Sequence, residues 1–321
     1  MIEGSALDLS VVIPVLNEEG NVRELTERLL QVLGGTGESF ELVFVDDGST
    51  DRTPHFLREL ALRDRRIRVL RLARNYGQEA AVQAGMLRAR GRWVVQCDGD
   101  LQNPPEEIPK LLEKRAEGYE VVFGARQERK DPWHRAFASR AMVWFMRRVL
   151  DIALPEDVTT FRVVQGDVAR FIAGLPEKRK FFSALACWSG ARTISVPVAH
   201  AERRAGVTKY DLGRLINHTF DLMVGFSVRP LRIIGGLGAL FAVAGILFGC
   251  YRITQKLAGV PINAGFASLF SAIVILGGLQ LIALSVIGEY VGRVFIQTQD
   301  RPLYRVSEEI NFELPSWRGP A

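Results

Sequence analysis

The chain has 321 residues, 48% of them hydrophobic, and a formal net charge of +5 at pH 7. Its length is sufficient for two compact domains. The three cysteines and four histidines are widely dispersed, which excludes a disulfide framework and a zinc site of the usual spacing. Because basic and aromatic residues do not alternate as in base-stacking grooves, we expect no nucleic acid partner and attribute the positive charge to contact with anionic lipid headgroups.

The first 125 residues predict an α/β domain with a mostly parallel sheet. Short apolar runs alternate with stretches of helical periodicity, which is the pattern of parallel strands joined by helices. The expected strands are Leu9–Pro14, Phe40–Asp46, Ile67–Leu72, Trp93–Asp98 and Glu120–Ala125. The expected helices lie at about 21–33, 50–63, 78–89 and 105–117.

Polar residues follow four of the five predicted strands. In open α/β sheets, ligands bind beyond the carboxyl ends of the strands, so these residues predict one polar binding edge. In chain order they are Pro14, Asn17 and Glu18, then Asp46 and Asp47, then Asn75, Gly77 and Gln78, and finally Asp98, Asp100 and Gln102. Each segment alone also fits ordinary turn and helix-cap chemistry, with Ser49 or Asp51 as a cap and Gly48 as a turn residue.

Two carboxylates, Asp98 and Asp100, stand one residue apart where the fourth predicted strand ends. Magnesium and manganese prefer oxygen ligands, and nucleotide enzymes usually hold them with one or two carboxylates and the substrate phosphates. The pair is therefore a candidate site for Mg²⁺ or Mn²⁺ between the protein and a diphosphate. Aspartate and glycine are also common turn residues, so the pair alone is weak evidence for a metal site and fits an ordinary turn better.

Two amphipathic helices are predicted beyond this domain, at 133–150 and 212–228. Each has an apolar face and fits either the headgroup layer of a membrane or ordinary packing on a core. Between them, Arg192–Val198 predicts a strand. The loop that follows, HAERRAGVTKY, is basic, and its Arg203, Arg204 and Lys209 bind phosphate or are simply solvated.

Two apolar stretches predict a membrane hairpin. No charged residue occurs from Ile233 to Tyr251 or from Leu257 to Gly288, and about 20 apolar residues cross a bilayer as a helix. Glycine and proline at 259–265 break the second stretch, which places its helix at about 266–288. A hairpin buried inside a soluble protein is the alternative.

The basic residues around these stretches predict the orientation of the hairpin. Arginines precede the first stretch and follow the second, whereas only Arg252 and Lys256 lie between them, so both termini are expected in the cytoplasm. No basic segment followed by an apolar core begins the chain, so no cleaved signal peptide is expected. The predicted plan is a cytosolic domain at 1–210, a juxtamembrane helix at 211–230, transmembrane helices within 231–292 at about 233–252 and 266–288, and a cytosolic tail at 293–321.

Six motifs resemble those of glycosyltransferase family 2, in its polyprenyl-phosphate branch. VVIPVLNEEGNV, VDDGSTD, RNYGQ, DGDLQNPPEEIP, HAERRAGVTKY and GEYVGR occur in the order and spacing of that family and cover almost the whole chain. The branch includes dolichol-phosphate mannose synthases and bactoprenol glucosyltransferases, and its undecaprenyl-phosphate 4-deoxy-4-formamido-arabinose transferases look nearest.

The resemblance implies a GT-A, Rossmann-like domain with interfacial helices and a two-helix transmembrane hairpin. It implies an inverting enzyme of the bacterial inner membrane that moves one sugar from a nucleotide diphosphate sugar, a UDP-sugar, to polyprenyl phosphate. The product would serve cell-envelope glycan synthesis or lipid A modification. A tetramer in contact with membrane lipids is also implied. The sugar stays open, and guanine donors occur in related enzymes.

Roles for individual residues come from the same resemblance. Asp100, Asp157, Arg126 and Arg162 are implied as catalytic, and Asp98, Asp100 and Gln102 as ligands of Mg²⁺ or Mn²⁺. The implied donor-binding residues are Pro14, Asn17, Glu18, Asp46, Asp47, Asn75, Gly77, Gln78 and Asp98. The implied ligands of the acceptor phosphate are Arg162, Arg203, Lys209 and Tyr210. The segment Asp157-Val158-Thr159-Thr160 lacks the usual glycine of the family, which leaves a base role for Asp157 open.

Two other functions are compatible with parts of this sequence. A processive polysaccharide synthase shares the same sheet but normally carries a Gln-x-x-Arg-Trp motif and more membrane spans, which this sequence lacks. An inactive nucleotide-binding membrane scaffold is disfavoured because the acidic residues are intact at every strand end where they are expected.

Overall fold

A computed structural model of the chain describes residues 7–126, 158–178, 180–199, 228–258, 265–299 and 301–312. The described residues form two compact units. The first contains the residues up to 199 together with 301–312, and the second contains 228–299. The predicted amphipathic helix at 133–150, and the one at 212–228 except for its last residue, lie outside the described residues.

The first unit is built on one sheet of eight strands in the described part of the chain. The strands are β1 (Leu9–Val15), β2 (Phe40–Asp46), β3 (Ile67–Leu72), β4 (Trp93–Gln96), β5 (Val121–Arg126), β6 (Val158–Gln165), β7 (Thr193–Val198) and β8 (Val306–Ile310). Their order across the sheet is β7-β5-β6-β4-β1-β2-β3-β8. β6 and β8 run antiparallel to their neighbours and the other pairs are parallel, which confirms a mostly parallel sheet.

Helices cover the sheet and bury its central strands. They are α1 (Val22–Gly34), α2 (Thr53–Arg63), α3 (Gln78–Arg88), α4 (Ile108–Glu113), α5 (Gly166–Gly174) and α6 (Phe182–Trp188). Every residue of β1 and β2 is buried, which explains why these strands are nearly continuous apolar runs. The helix predicted at 105–117 is instead α4 between two 3₁₀ turns, Pro105–Glu107 and Lys114–Glu117.

Two strands of the sheet were not predicted from the sequence. β6 enters between β4 and β5 and carries Arg162 in its centre, so it lacks the apolar run of a buried strand. β8 lies within the predicted C-terminal tail and has the polar sequence VSEEI. It pairs with β3 and forms the outer edge of the sheet, so part of that tail belongs to the folded domain.

The second unit contains two long apolar helices, α7 (Arg229–Leu257) and α8 (Phe266–Thr298). Within them, Leu231–Gln255 and Ala272–Thr298 are long and apolar enough to cross a membrane. None of the apolar windows in these helices is buried inside the protein, which is unlike the core hairpin of a soluble protein. Both helices begin near their predicted starts and extend beyond their predicted ends.

Gly85 controls how closely α3 packs on the sheet, because a Cβ there would lie 2.4 Å from Val12 Cγ1 and 3.0 Å from Val45 Cγ2. Valine is a short and stiff side chain, so we expect Gly85→Ala to destabilise the domain by about 1–3 kcal/mol through overpacking. The thermal midpoint of the purified protein measures the effect. Gly34→Ala is the control: no atom lies within 4 Å of its Cβ, so an unchanged or raised midpoint is expected. Equal midpoints for the two variants would contradict the packing argument.

Candidate active site

The loops that follow β1 and β2 are tied together by hydrogen bonds. The backbone N–H of Asn17 donates to Ser49 Oγ at 2.9 Å, and Asn17 Oδ1 accepts the N–H of Thr50 at 2.9 Å. The N–H of Glu18 donates to Thr53 Oγ1 at 2.8 Å. Asn17 has a φ of 56°, a left-handed conformation that asparagine tolerates better than most residues. These bonds fix the position of Glu18 beside the end of β2.

Asp46, the last residue of β2, is fully buried. Its Oδ1 accepts the N–H of Ser49 at 2.9 Å, and its Oδ2 lies 3.2 Å from Arg71 Nε. A buried carboxylate requires such partners because an unpaired charge away from water is costly. Asp46 thus connects the ends of β2 and β3, and its predicted contact with a nucleotide remains a prediction.

Asp47 holds the β3–α3 loop (residues 73–77). Its two carboxylate oxygens accept the N–H groups of Tyr76 and Gly77, each at 2.8 Å. Burial raises the pKa of the Asp47 carboxyl, and these two hydrogen bonds counteract the rise. The neighbouring Gly48 has a φ of 77°, and a Cβ there would lie 2.5 Å from the carbonyl carbon of Arg74. Only glycine permits this close approach between the two loops.

Three side chains orient the carboxylate of Asp98. Gln78 Nε2 donates to Oδ1 at 2.8 Å, Asn103 Nδ2 donates to Oδ2 at 3.1 Å, and the Thr160 hydroxyl also donates to Oδ2. Burial raises the pKa of Asp98, while the bonds from Thr160 and Asn103 oppose that rise. Thr160 and Asn103 were not predicted as functional residues from the sequence. Thr160 faces Asp98 only because β6 enters the sheet beside β4.

The turn after Asp98 directs Asp100 toward the same edge. Leu101 has a φ of 61°, which costs a residue other than glycine about 1–3 kcal/mol, and its buried side chain packs in the core. The N–H of Gln102 donates to Asp100 Oδ1 at 3.1 Å. A Cβ at Gly99 would lie 2.8 Å from Val15 Cγ1, so glycine lets this turn approach the end of β1.

These strand ends surround a cleft of about 480 Å³. Its lining includes most of the predicted donor and metal residues: Pro14, Glu18, Asp47, Asn75, Gly77, Gln78, Asp98, Asp100 and Gln102. Val15, Leu16, Gly99 and Thr160 complete the lining. Asn17 and Asp46 hold the loops from behind, as their hydrogen bonds show. The predicted convergence of four strand ends on one polar edge is thus present in the fold.

Arg162 lies inside the domain and is only 3% exposed. Its Nε donates to Gln96 Oε1 at 2.8 Å, its NH1 donates to Ser183 Oγ at 3.4 Å, and its guanidinium lies 4.2 Å from the centre of the Phe182 ring. Burial lowers the pKa of Arg162 to about 10, which still leaves the group charged at neutral pH. The structure therefore places this charge behind the cleft and not among its lining residues.

The remaining predicted site residues are less well defined by the structure. Arg126 is the last residue of β5, opposite Val198 of β7. Asp157, Arg203, Lys209 and Tyr210 lie outside the described residues. Their roles remain predictions.

Two family models match this chain. Residues 10–170 match glycosyl transferase family 2, and residues 229–294 match the GtrB C-terminal hairpin. The chain belongs to glycosyltransferase family 2. The first match covers the strand ends that form the cleft, and the second covers most of both apolar helices.

Similar proteins extend the match along almost the whole glycosyltransferase. An undecaprenyl-phosphate 4-deoxy-4-formamido-L-arabinose transferase of Edwardsiella ictaluri is 37% identical over 310 residues, which is 96% of this chain and 95% of that protein. The glycosyltransferase YkcC of Bacillus subtilis is 37% identical over 308 residues, with 96% and 95% covered. Within family 2, the chain is thus a polyprenyl-phosphate glycosyltransferase.

A solved structure supports the fold of this glycosyltransferase. The mannosyltransferase PcManGT from Pyrobaculum calidifontis, in complex with GDP-Man and Mn²⁺, superposes with a TM-score of 0.51. It is 16% identical in sequence, and the match covers 93% of this chain and 89% of that one. The comparison confirms the predicted GT-A-like domain followed by two apolar helices.

The polar groups of the cleft fit a magnesium or manganese ion. Asp98, Asp100 and Gln102 line it and offer carboxylate and amide oxygens, the ligands that these ions prefer. Among the described residues, no group of three or more histidine, cysteine, aspartate or glutamate side chains is arranged to hold a metal. A cation in this glycosyltransferase would therefore take its other ligands from substrate phosphate and water, as nucleotide enzymes usually arrange.

The close approach at Gly48 allows a test of the β3–α3 loop in the glycosyltransferase. We expect Gly48→Ala to displace this loop, because the new Cβ would meet the backbone of Arg74. Amide hydrogen exchange at Tyr76 and Gly77 should become at least about tenfold faster as the loop opens more often. Transfer activity should fall with it.

Gly37→Ala is the matched control, because Gly37 also has a positive φ, 72°, but no atom lies within 4 Å of its Cβ. Both variants carry the backbone strain, and only the first carries the clash. Similar exchange rates in the two variants would show that the contact with Arg74 does not position the loop.

Proposed function

We propose that this glycosyltransferase transfers one sugar from a UDP-sugar to undecaprenyl phosphate. The observation that carries the proposal is the cleft at four strand ends, where Asp47, Asp98 and Asp100 meet. The apolar helices α7 and α8 supply a membrane anchor close to a lipid acceptor. The names of similar transferases, including the Edwardsiella ictaluri protein, support this acceptor. The product would be a lipid-linked monosaccharide for cell-envelope glycan or lipid A modification.

The proposed reaction is a single displacement at the anomeric carbon. An oxygen of the lipid phosphate forms a new bond to that carbon, while the bond to the donor diphosphate breaks and UDP leaves with the electron pair. The configuration at the carbon is inverted. A phosphomonoester has a second pKa of about 6 and is mostly dianionic at pH 7, so the nucleophile needs no strong base. Asp157 therefore serves to orient the phosphate or its arginines.

The central electrostatic problem is to bring two anionic substrates together. Asp98, Asp100 and Gln102 would hold Mg²⁺ or Mn²⁺, whose positive charge stabilises the diphosphate that leaves. Asp47 fixes the loop that faces the nucleotide. We assign the lipid phosphate to Arg126, Arg203, Lys209 and Tyr210, and we assign the buried charge of Arg162 to the electrostatics behind the site.

The membrane arrangement follows from the charges around the hairpin. We propose that α7 and α8 anchor the enzyme in the bacterial inner membrane with both termini and the catalytic domain in the cytoplasm. Small residues in both helices, including Gly235, Gly236, Gly277 and Gly278, permit close helix contacts in a homotetramer.

A transfer assay with radiolabelled UDP-sugar, undecaprenyl phosphate and Mn²⁺ tests the proposed reaction. A lipid-extractable monosaccharide product is expected. A polymer would indicate a processive synthase, and the absence of product with every nucleotide sugar tried would indicate a binding scaffold. GDP-sugars belong in the panel because PcManGT was solved with GDP-Man.

Asp100→Ala tests the metal assignment. We expect transfer to fall at least about 100-fold, the order of loss when a stabiliser of developing charge is removed, while membrane insertion is unchanged. Asp167→Ala is the matched control, because this aspartate is 85% exposed and pairs with Arg170 at the start of α5. Near-wild-type turnover by Asp100→Ala protein with added Mn²⁺ would remove the metal assignment.

Arg203→Ala and Lys209→Ala test the acceptor assignment. We expect each to raise the KM for undecaprenyl phosphate about tenfold, because each removes a charge-assisted contact to phosphate, while the Kd for UDP stays within about twofold. Arg63→Ala controls for the change in net charge. Arg63 lies at the end of α2, and its side chain is 71% exposed. Loss of UDP binding alone would contradict the lipid-phosphate role.

A further inference from the structure

The chain returns to the catalytic domain after α8, and this return contacts the elements on both sides of the β3–α3 loop. We call residues 301–312 the C-terminal segment. Within it, β8 pairs antiparallel with β3, which ends immediately before the loop. Glu309 of the same segment pairs with Arg88, the last residue of α3, the helix that follows the loop. The sequence predicted a cytosolic tail for these residues and no role in the site.

The pairing of the C-terminal segment with β3 continues up to the β3–α3 loop. Leu72 pairs with Val306 and Arg71 pairs with Glu308, so Ser307 is an extra residue that forms a bulge. The Ser307 hydroxyl donates to the carbonyl of Arg71 at 3.1 Å. Next along the chain, the N–H of Ala73 donates to the carbonyl of Arg305 at 2.8 Å. The first residue of the β3–α3 loop is therefore held by the C-terminal segment.

The contact with α3 is an ion pair with limited exposure to water. Arg88 NH2 lies 2.8 Å from Glu309 Oε1, and the Arg88 Nε donates to the same oxygen at 3.0 Å. The two side chains are 24% and 22% exposed, so solvent screens this pair less than a fully exposed one. Gln78, the first residue of α3, donates to Asp98 and lines the cleft.

Further anchors keep the segment attached away from the loop. Asn311 Nδ2 donates to the carbonyls of Ala61 and Ile67 at 2.7 and 2.8 Å, and the guanidinium of Arg68 lies 3.9 Å from the centre of the Phe312 ring. These contacts fix the far end of β8. With the far end of β8 held, the segment keeps the carbonyl of Arg305 beside the N–H of Ala73.

We propose that the C-terminal segment positions the β3–α3 loop for binding of the donor nucleotide, with Ser307 and Glu309 as positioning residues. The loop is held from one side by the carboxylate of Asp47 and from the other by this segment. Neither Ser307 nor Glu309 lines the cleft, so both act through the elements that flank the loop. The inference rests on the proposed function, because it requires that the protein bind a nucleotide donor.

The proposal is tested in the full-length protein by reversing the charge of Glu309 and then by exchanging the charges of Arg88 and Glu309. In Glu309→Arg protein, two like charges face each other, so the contact between the segment and the end of α3 is weakened. If the loop then occupies its binding arrangement about one fifth of the time, the Kd for UDP with Mn²⁺ rises about fivefold. The double variant Arg88→Glu with Glu309→Arg should restore the Kd to within about twofold, because the pair is re-formed in reverse. Isothermal titration calorimetry measures the Kd.

Glu308→Arg is the matched control, because it makes the same charge change one residue away. Glu308 pairs with Arg58, which is 57% exposed, so a change in the Kd for UDP of less than about twofold is expected. The KM for undecaprenyl phosphate should stay constant in all three variants. An unchanged UDP Kd in Glu309→Arg protein, or an equal loss in Glu308→Arg protein, would overturn the proposal.

A milder variant covers the case in which Glu309→Arg protein fails to fold. Ser307→Ala removes only one hydroxyl, so we expect an unchanged thermal midpoint and about twofold faster amide exchange at Ala73, Tyr76 and Gly77. Unchanged exchange there would overturn the positioning role. A wild-type protein that binds neither UDP nor GDP would overturn the proposed donor and this inference together, whereas normal wild-type binding with unaffected variants overturns the inference alone.

Discussion

The cleft depends on one carboxylate that binds two backbone N–H groups. Asp47, at the end of β2, accepts from Tyr76 and Gly77 and so fixes the loop between β3 and α3. Hydrogen bonds of an ionised acceptor are stronger than those between neutral groups, so this contact holds a loop that has little apolar surface to bury. Gly48 permits the close approach of the two loops. Any side chain at this position would meet the backbone of Arg74.

The acidic residues at the strand ends divide into those that build the cleft and those that face it. Asp46 has no exposed surface; its Oδ1 accepts the N–H of Ser49, and its Oδ2 lies beside the guanidinium of Arg71. Asp98 lines the cleft, but three side chains already donate to its oxygens. Asp100 lines the cleft and is aimed by the left-handed backbone of Leu101. The sequence presents these aspartates as equivalent, and their burial and partners separate them.

Patterns within single segments predicted the parallel strands, the polar strand ends and the two apolar helices, because burial on both faces and membrane contact leave continuous apolar runs. β6 and β8 escaped prediction because each carries charges whose partners lie elsewhere in the chain. Arg162 of β6 packs on Phe182, and the glutamates of β8 pair with Arg58 and Arg88. Thr160 was missed for the same reason, since its contact with Asp98 exists only through the position of β6.

The charge of Arg162 favours the ionised form of Asp98, alongside the hydrogen bonds from Thr160 and Asn103. Desolvation raises the pKa of Asp98 and lowers that of Arg162 to about 10, and each group favours the charged form of the other. Asp98 also accepts three side-chain hydrogen bonds, and the carboxylate of Glu79 favours the charged form of Arg162 more strongly than Asp98 does. Gln96 of β4 accepts a hydrogen bond from Arg162, and Thr160 of β6 donates one to Asp98, so the antiparallel strand brings a cation to the end of β4. The insertion of β6 therefore shapes the electrostatics of the site as well as the fold.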